Sequence, residues 1–161
     1  MNIYAIDKLM SETRRLAAEY HRLTGLVLPV SNELSRHDVM TKLNFIAPTQ
    51  QESGVDLIGT GLWEGRKIQV KSRVVFKQAK SRPRVGQLNF EGKWEFVILV
   101  LMNEDYAAEE MYIAKREALF ESIYNRVNKN KERIAISIGK FKTLSELIWC
   151  KQEEMNEYLK C

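Results

Sequence analysis

The chain has 161 residues, of which 45% are hydrophobic and 29% charged, and its formal net charge is +4. This length and composition are ordinary for one soluble globular domain spanning residues 1–161 and leave little room for two. No apolar run is long enough to cross a bilayer, and residues 1–15 lack the order of a signal peptide, so we expect a cytoplasmic protein with no membrane partner. Cys150 and Cys161 show no pairing or zinc-binding pattern, which predicts reduced thiols.

Two helices are predicted before the first strand. Apolar or small residues recur at helical spacing over residues 2–24, and Gly25 ends the pattern. A second helix is predicted from the capping residues Ser31 or Asn32 to about Asn44.

The second helix carries acidic residues on two different sides. At 100° per residue, Val39, Met40 and Leu43 define its buried face. Glu33 falls beside Met40 at the edge of that face, whereas Asp38 points the opposite way. The sequence leaves open which of the two acids contributes to a site.

A β-hairpin is predicted after these helices. The apolar run at residues 55–58 is bounded by glycines, and residues 67–75 alternate polar and apolar side chains with period two. Since successive side chains alternate across a strand, Gln69 and Lys71 share one face of the second strand. Asp56, in the first strand, must lie close to that face if these residues form one site.

Positive charge is concentrated directly after this hairpin. Residues 66–93 contain nine Lys or Arg and a single acid, Glu91. Such a segment is typical of a polyanion-binding surface, although a solvated, mobile loop is the simpler alternative. The candidate nucleic-acid contacts within it are Arg73, Lys77, Lys80, Arg82 and Arg84.

The remaining elements predict a helix-flanked mixed sheet. Residues 96–102 are continuously apolar, as in a strand covered on both faces, and residues 107–113 are ambiguous. A helix is predicted over residues 114–127, a strand over residues 134–138 and a terminal helix over residues 143–159. The helix between the third and fourth strands indicates a right-handed crossover. The two terminal helices would pack on each other or join two subunits as a homodimer.

The polar residues of the hairpin have the chemistry of a metal-dependent phosphodiesterase. Mg²⁺ prefers oxygen ligands and needs only one or two carboxylates with added carbonyls. Asp56 is the main candidate ligand, with the side-chain carbonyl of Gln69, the backbone carbonyl of Val70 and Glu33 completing the set. Lys71 would then neutralise phosphate and polarise the attacking water. Asp56 could instead shape a turn, and the two strand residues could face solvent.

These residues resemble the PD-(D/E)xK nuclease superfamily, to which many restriction endonucleases belong. Residues 54–57 read GVDL, residues 69–71 read QVK, and the helix of residues 31–44 is similar to the one that often supplies a glutamate, here Glu33. The resemblance covers residues 30–138 and lies with an uncharacterised bacterial branch. It implies an α/β (α+β) fold with a restriction endonuclease-like αβββαβ core.

The activity implied by the resemblance is DNA cleavage that depends on Mg²⁺ or Mn²⁺, in a restriction or phage-defence setting. Asp56, Gln69, Lys71 and Glu33 are the catalytic residues that it implies. The chain departs from the motif at Gln69, where an acid is usual, and at Val55, where a proline is usual. The alternative is a nuclease-like module that binds nucleic acid or docks on a partner without cutting.

Overall fold

The computed structural model describes residues 2–78, 83–130 and 135–151, and these form four α-helices and a five-stranded mixed sheet. The elements, in chain order, are α1 (Ile3–Thr24), α2 (Ser31–Leu43), β1 (Leu57–Ile58), β2 (Lys67–Val74), β3 (Phe96–Met102), β4 (Ala108–Lys115), α3 (Arg116–Asn130), α4 (Ile138–Thr143) and β5 (Ser145–Cys150). The α+β class predicted from the sequence is therefore confirmed. Within the described ranges, no helix combines the length and the apolar character that crossing a membrane requires.

The strands lie in the order β1-β2-β3-β4-β5, and only β2 and β3 run parallel. The predicted hairpin is confirmed, since Leu57 of β1 pairs with Ile68 of β2 in an antiparallel ladder. On its other edge β2 pairs with β3, where Val70 is opposite Ile98. The strand that carries the candidate site is thus held by neighbours on both sides.

Apolar side chains cover both faces of this sheet. On one face Ile68 and Val70 pack in a cluster with Leu34 and Val39 of α2. On the other face alternate residues of β3, such as Leu99, pack in a second cluster that includes Leu119 of α3 and Phe141 of α4. The continuous apolar run of β3 follows from this, because both of its faces are buried.

Local signals place α1 as the sequence predicted. The side chain of Asn2 caps α1 by accepting a hydrogen bond from the backbone N–H of Tyr4, and Gly25 ends the helix with a positive φ of 72°. The predicted cap of α2 at Ser31 or Asn32 is wrong, because Val30 is the N-cap and makes no side-chain hydrogen bond. The second helix ends before Asn44, which also has a positive φ.

Three predictions for the second half of the chain are wrong. Residues 145–150, predicted as helix, form β5, which pairs antiparallel with β4 along the sheet edge. The ambiguous segment 107–113 belongs to β4, and the backbone hydrogen bonds of that strand provide the edge on which β5 forms. The rest of the predicted terminal helix, residues 152–159, lies outside the described residues.

The predicted strand of residues 134–138 is also absent among its described residues. Ser137 makes an isolated bridge to Arg84, and Ile138 already begins α4 because the Ser137 side chain caps that helix. The predicted crossover through a helix is wrong as well. The parallel pair is β2 and β3, and the segment between them, as far as it is described, contains no helix.

Two side chains have surroundings opposite to those predicted. Asp38 is only 6% exposed and forms an ion pair with Arg14 of α1, so it faces the helix interface rather than solvent. Helical periodicity places a side chain on a face but does not reveal a charged partner from another helix. Cys150, buried at the end of β5, is disulfide-bonded rather than reduced, and Cys161 lies outside the described residues.

Candidate functional site

Asp56 lies directly before β1, and its carboxylate sits against the middle of β2. Its backbone N–H donates to the Ile68 carbonyl at 2.8 Å. Its side-chain Oδ2 accepts a hydrogen bond from the Val70 N–H, also at 2.8 Å. These two hydrogen bonds, to Ile68 and Val70 of β2, therefore fix the aspartate beside residues 69–71.

A glycine makes this approach possible. Gly54 has a φ of 78°, and a Cβ at this position would lie 2.9 Å from Cδ1 of buried Trp94 and 3.6 Å from Nε2 of Gln69. Any other residue would be strained by its backbone and would press on the indole. The G-V-D sequence thus places Asp56 by allowing the preceding turn to pack closely.

Gln69 presents a buried oxygen without a partner. The residue is 9% exposed, and its Oε1 makes no hydrogen bond within the part of the chain that the structure describes. An unpaired buried carbonyl oxygen costs about 1–3 kcal/mol. A cation that accepts this oxygen as a ligand would remove the cost.

Val70 contributes a second neutral oxygen to the same place. Its N–H points to the Asp56 carboxylate, and within a strand the N–H and C=O of one residue point to the same edge. The carbonyl therefore points to the side on which Asp56 lies, beyond the short ladder of β1. That this carbonyl is a metal ligand stays a prediction.

The pKa of Asp56 is raised above its ordinary value of 3.8. Burial is the largest cause, and the negative charge of Glu33 adds to it. The Val70 N–H and the positive charges of Arg36 and Lys71 act in the opposite direction. The hydrogen bond and positive charges around Asp56 therefore do not fully offset the cost of burying its negative charge.

Lys71 is half-buried on the same face of β2 as Gln69, two residues further along the strand. Burial lowers its pKa below 10.5, the Asp56 charge raises it, and Arg73 lowers it. Its amine and the Asp56 carboxylate thus interact through their charges. Among the described residues no salt bridge neutralises this amine.

Glu33 lies near the site without touching it. It is exposed on α2, and its Oε2 is 3.9 Å from Nη1 of Arg36. Its charge contributes to the raised pKa of Asp56, so it is close enough to act on the carboxylate electrostatically. Asp38, the other acid considered, is held by Arg14 and does not join the site.

Arg36 is the site neighbour that the sequence did not identify. Its Nε donates to the backbone carbonyl of Asp56 at 3.4 Å, which ties α2 to the start of β1. The signal available in the sequence was its position within the apolar sector of the helix. An arginine there needs a polar group to receive it, and the backbone of residue 56 provides one.

The predicted phosphate contacts extend from the far end of β2. Arg73 shares the face of Gln69 and Lys71, and its guanidinium donates to the backbone carbonyls of Arg84 and Ser72. Lys77 and Arg84 are exposed. The other two predicted contacts, Lys80 and Arg82, lie outside the described residues.

The donor set fits a hard divalent cation. It consists of one carboxylate, one unpaired amide oxygen and one backbone carbonyl, all at the junction of β1 and β2. Oxygen ligands of this kind suit Mg²⁺ or Mn²⁺ and not a soft metal. No group of three or more His, Cys, Asp or Glu suited to a metal occurs in the described ranges.

No protein-family model matches this sequence, and no curated protein matches it.

Proposed function

We propose that the protein is a cytoplasmic DNA endonuclease that depends on Mg²⁺ or Mn²⁺ and hydrolyses phosphodiester bonds in a restriction or phage-defence setting. The observation that carries the proposal is the Asp56 carboxylate bound to the Val70 N–H, with the unpaired Gln69 Oε1 and the half-buried Lys71 on the adjoining strand. An aspartate, a carbonyl and an amine so arranged match the division of tasks in phosphodiester hydrolysis.

Asp56, Gln69 and the Val70 carbonyl are the residues that would hold the metal, and Glu33 is near enough to assist electrostatically. When bound, a divalent cation supplies Lewis-acid stabilisation of the phosphoryl oxygens and lowers the pKa of water. The neutral Gln69 leaves the site with less negative charge than an acid would give. We therefore expect weaker metal binding than in a site that has a second carboxylate at this position.

Lys71 would act directly on the substrate. Its amine stands beside the carboxylate that positions the metal, where it can neutralise the phosphate and orient water for in-line attack. Burial lowers its pKa, which makes proton exchange at this amine easier than at an exposed lysine. Arg73 continues the same face and is placed to contact the next phosphate along the strand.

The fold gives partial support to the PD-(D/E)xK superfamily. A helix followed by β1, β2 and β3 matches the start of the αβββαβ order, and α2 lies beside the hairpin. The described chain then adds β4 before α3 and ends with an antiparallel β5. We therefore propose that the protein belongs to this superfamily, and the site is argued from its own geometry.

Cleavage of supercoiled plasmid in Mg²⁺ or Mn²⁺ tests the proposal. Lys71→Ala and Asp56→Ala should each reduce the rate by at least about a hundredfold, because each removes a group acting at the phosphate or the metal. Lys115→Ala, which changes an exposed lysine at the end of β4, is the matched control. Wild-type cleavage that both site variants retain would refute the nuclease function.

A second function is favoured by one observation, the neutral side chain at Gln69. A site short of one negative charge suits a module that binds nucleic acid, or docks on a partner, without cutting it. Such a module would bind DNA with a strong salt dependence and no metal requirement. Calorimetric titration with Mn²⁺ separates the two, since only the nuclease needs a metal site that Asp56→Ala abolishes.

A homodimer through α1 is the form that we expect in solution. Three leucines on its outer side recur at every seventh residue and are 53–79% exposed, namely Leu9, Leu16 and Leu23. This spacing gives a helix a seam that a second helix can cover. Leu16→Glu should give a monomer by sedimentation analysis, whereas Leu62→Glu, at a 92% exposed site elsewhere, should leave the mass unchanged. A monomeric wild type would contradict the expectation.

A further inference from the structure

A cavity of about 450 Å³ lies between α1 and α2. Its walls are apolar on both sides, with Ile6 and Met10 contributed by α1, Met40 by α2, and Phe45 by the segment after α2. The volume falls in the range of pockets that enclose small organic groups. Two methionines give it adaptable, polarisable walls of the kind that receive planar ligands.

The cavity is connected to the proposed cleavage site through α2. Glu33 and Arg36 line it, and the Arg36 Nε donates to the backbone carbonyl of Asp56. One side chain thus borders both the cavity and the residue that positions the metal. A group bound in the cavity would therefore belong to a nucleotide close to the phosphate at Asp56.

The charges of the cavity favour a neutral occupant. Asp7 and Glu33 contribute negative charge and Arg36 positive charge, while His37 Nε2 lies 3.0 Å from Asp7 Oδ1 across the two helices. Two carboxylates against one guanidinium disfavour a phosphate in the cavity. The second carboxylate oxygen of Asp7 can accept a hydrogen bond from the edge of a planar polar ring. The Thr41 hydroxyl donates to the Asp38 carbonyl, so its oxygen is likewise left as an acceptor.

We propose that this cavity binds one unstacked nucleobase next to the phosphate that is cleaved, so that single-stranded or locally unpaired DNA is the preferred substrate. The inference rests on the proposed nuclease function. Unpaired DNA is favoured because a base in a duplex must first lose its stacking and pairing, which costs a few kcal/mol. Contact between the bound base and the apolar walls of the cavity would offset the stacking energy that the base has lost.

The test compares two single strands that differ only in their bases. A short fluorescent oligonucleotide and the same sugar-phosphate chain with every base replaced by an abasic spacer are titrated with the full chain in EDTA. The wild type should bind the intact strand at least about tenfold more tightly. The double variant Met10→Ala, Met40→Ala should reduce this ratio to near one while keeping its affinity for the abasic strand. That retained affinity, with circular dichroism, shows that the variant is folded.

Leu26→Ala is the matched control, because Leu26 follows α1, is 60% exposed and does not line the cavity. It should keep the wild-type ratio. A ratio near one in the wild type, or a ratio that the double variant leaves unchanged, would overturn the inference. Failure of the proposed function is recognised separately, since a protein that keeps the base-dependent ratio but never cleaves loses only the nuclease assignment.

Discussion

Asp38 and Asp56 are two shielded aspartates that differ in what compensates their charge. Burial raises the pKa of both carboxyls above 3.8. Asp38 forms an ion pair with the Arg14 guanidinium, which also donates to the Tyr106 carbonyl. Asp56 receives one hydrogen bond, from the neutral Val70 N–H, and Arg36 contacts only its backbone.

The difference separates an aspartate with a charged partner in the protein from the one that we propose as a metal ligand. Asp38 has a charged partner inside the protein, and the Arg14 guanidinium links it to α1 and to the turn before β4. Burial still raises its pKa, and its Oδ2 has no hydrogen-bond partner among the described residues. The charge of Asp56 remains available to an external cation. An acid that is shielded but left under-compensated is the more informative sign of a binding site.

The largest effect on stability is expected at the compensated aspartate. Arg14→Met removes the guanidinium but keeps an apolar stem, and it leaves Asp38 without its counter-charge. We expect a loss of about 3 kcal/mol in the free energy of unfolding at neutral pH, measured by urea denaturation. The deficit should shrink as the pH falls, because a protonated Asp38 needs no counter-charge.

Arg15→Met provides the control for this loss. Arg15 follows Arg14 in the sequence and forms an exposed ion pair with Glu19 at 3.2 Å. Its removal should change the free energy of unfolding by less than about 0.5 kcal/mol. Equal losses in the two variants would show that the buried Arg14 ion pair contributes no more to the free energy of unfolding than the exposed Arg15 ion pair.

The next effect distinguishes the two aspartates by their response to metal. At a Mn²⁺ concentration one hundred times the dissociation constant, binding should stabilise the wild type by about 2.7 kcal/mol. Asp56→Asn should abolish this gain, since the amide replaces the carboxylate that accepts the Val70 N–H hydrogen bond. Thermal unfolding with and without Mn²⁺ measures it. A full response in Asp56→Asn would place the metal elsewhere.

The smallest effect is a gain in stability without metal. The raised pKa of Asp56 means that the folded state binds more protons than the unfolded state as the pH rises above 3.8, so stability decreases through that window and stays lower above it. Asp56→Asn removes this penalty. We expect its Tm in EDTA at neutral pH to rise by less than about 3 °C, because the group is partly exposed. The gain should vanish below pH 3.8, and a gain independent of pH would contradict the explanation.

The hairpin and β3 could be predicted from sequence because their signals are local. Glycines bound residues 55–58, and period-two alternation over residues 67–75 fixes which side chains share a face. The adjacency of Asp56 to Gln69 and Lys71 then follows from one antiparallel register. This is why the proximity of these residues could be predicted without a structure.

The errors lie where a distant partner decides the structure. Residues 144–148 have apolar spacing compatible with a helix, but the open edge of β4 makes 145–150 a strand. The buried face of α2 was predicted from the residues of α2 alone. Arg14 of α1 forms an ion pair with Asp38 and so makes that side of α2 buried as well. No periodicity within one segment contains information about an edge or a charge supplied by another.

The hydrogen bond from Val70 to Asp56 has a consequence for hydrogen exchange. Ladder amides within β2 are protected by carbonyls of neighbouring strands, and they exchange only when the sheet opens. The Val70 amide is instead protected by the Asp56 side chain, so its exchange rate depends on whether the carboxylate keeps this hydrogen bond. Protonation of Asp56, its substitution, or recruitment of its oxygens by a cation would each alter this amide while its neighbours stay the same. One backbone N–H in the middle of the sheet therefore serves as a built-in reporter of the state of the site.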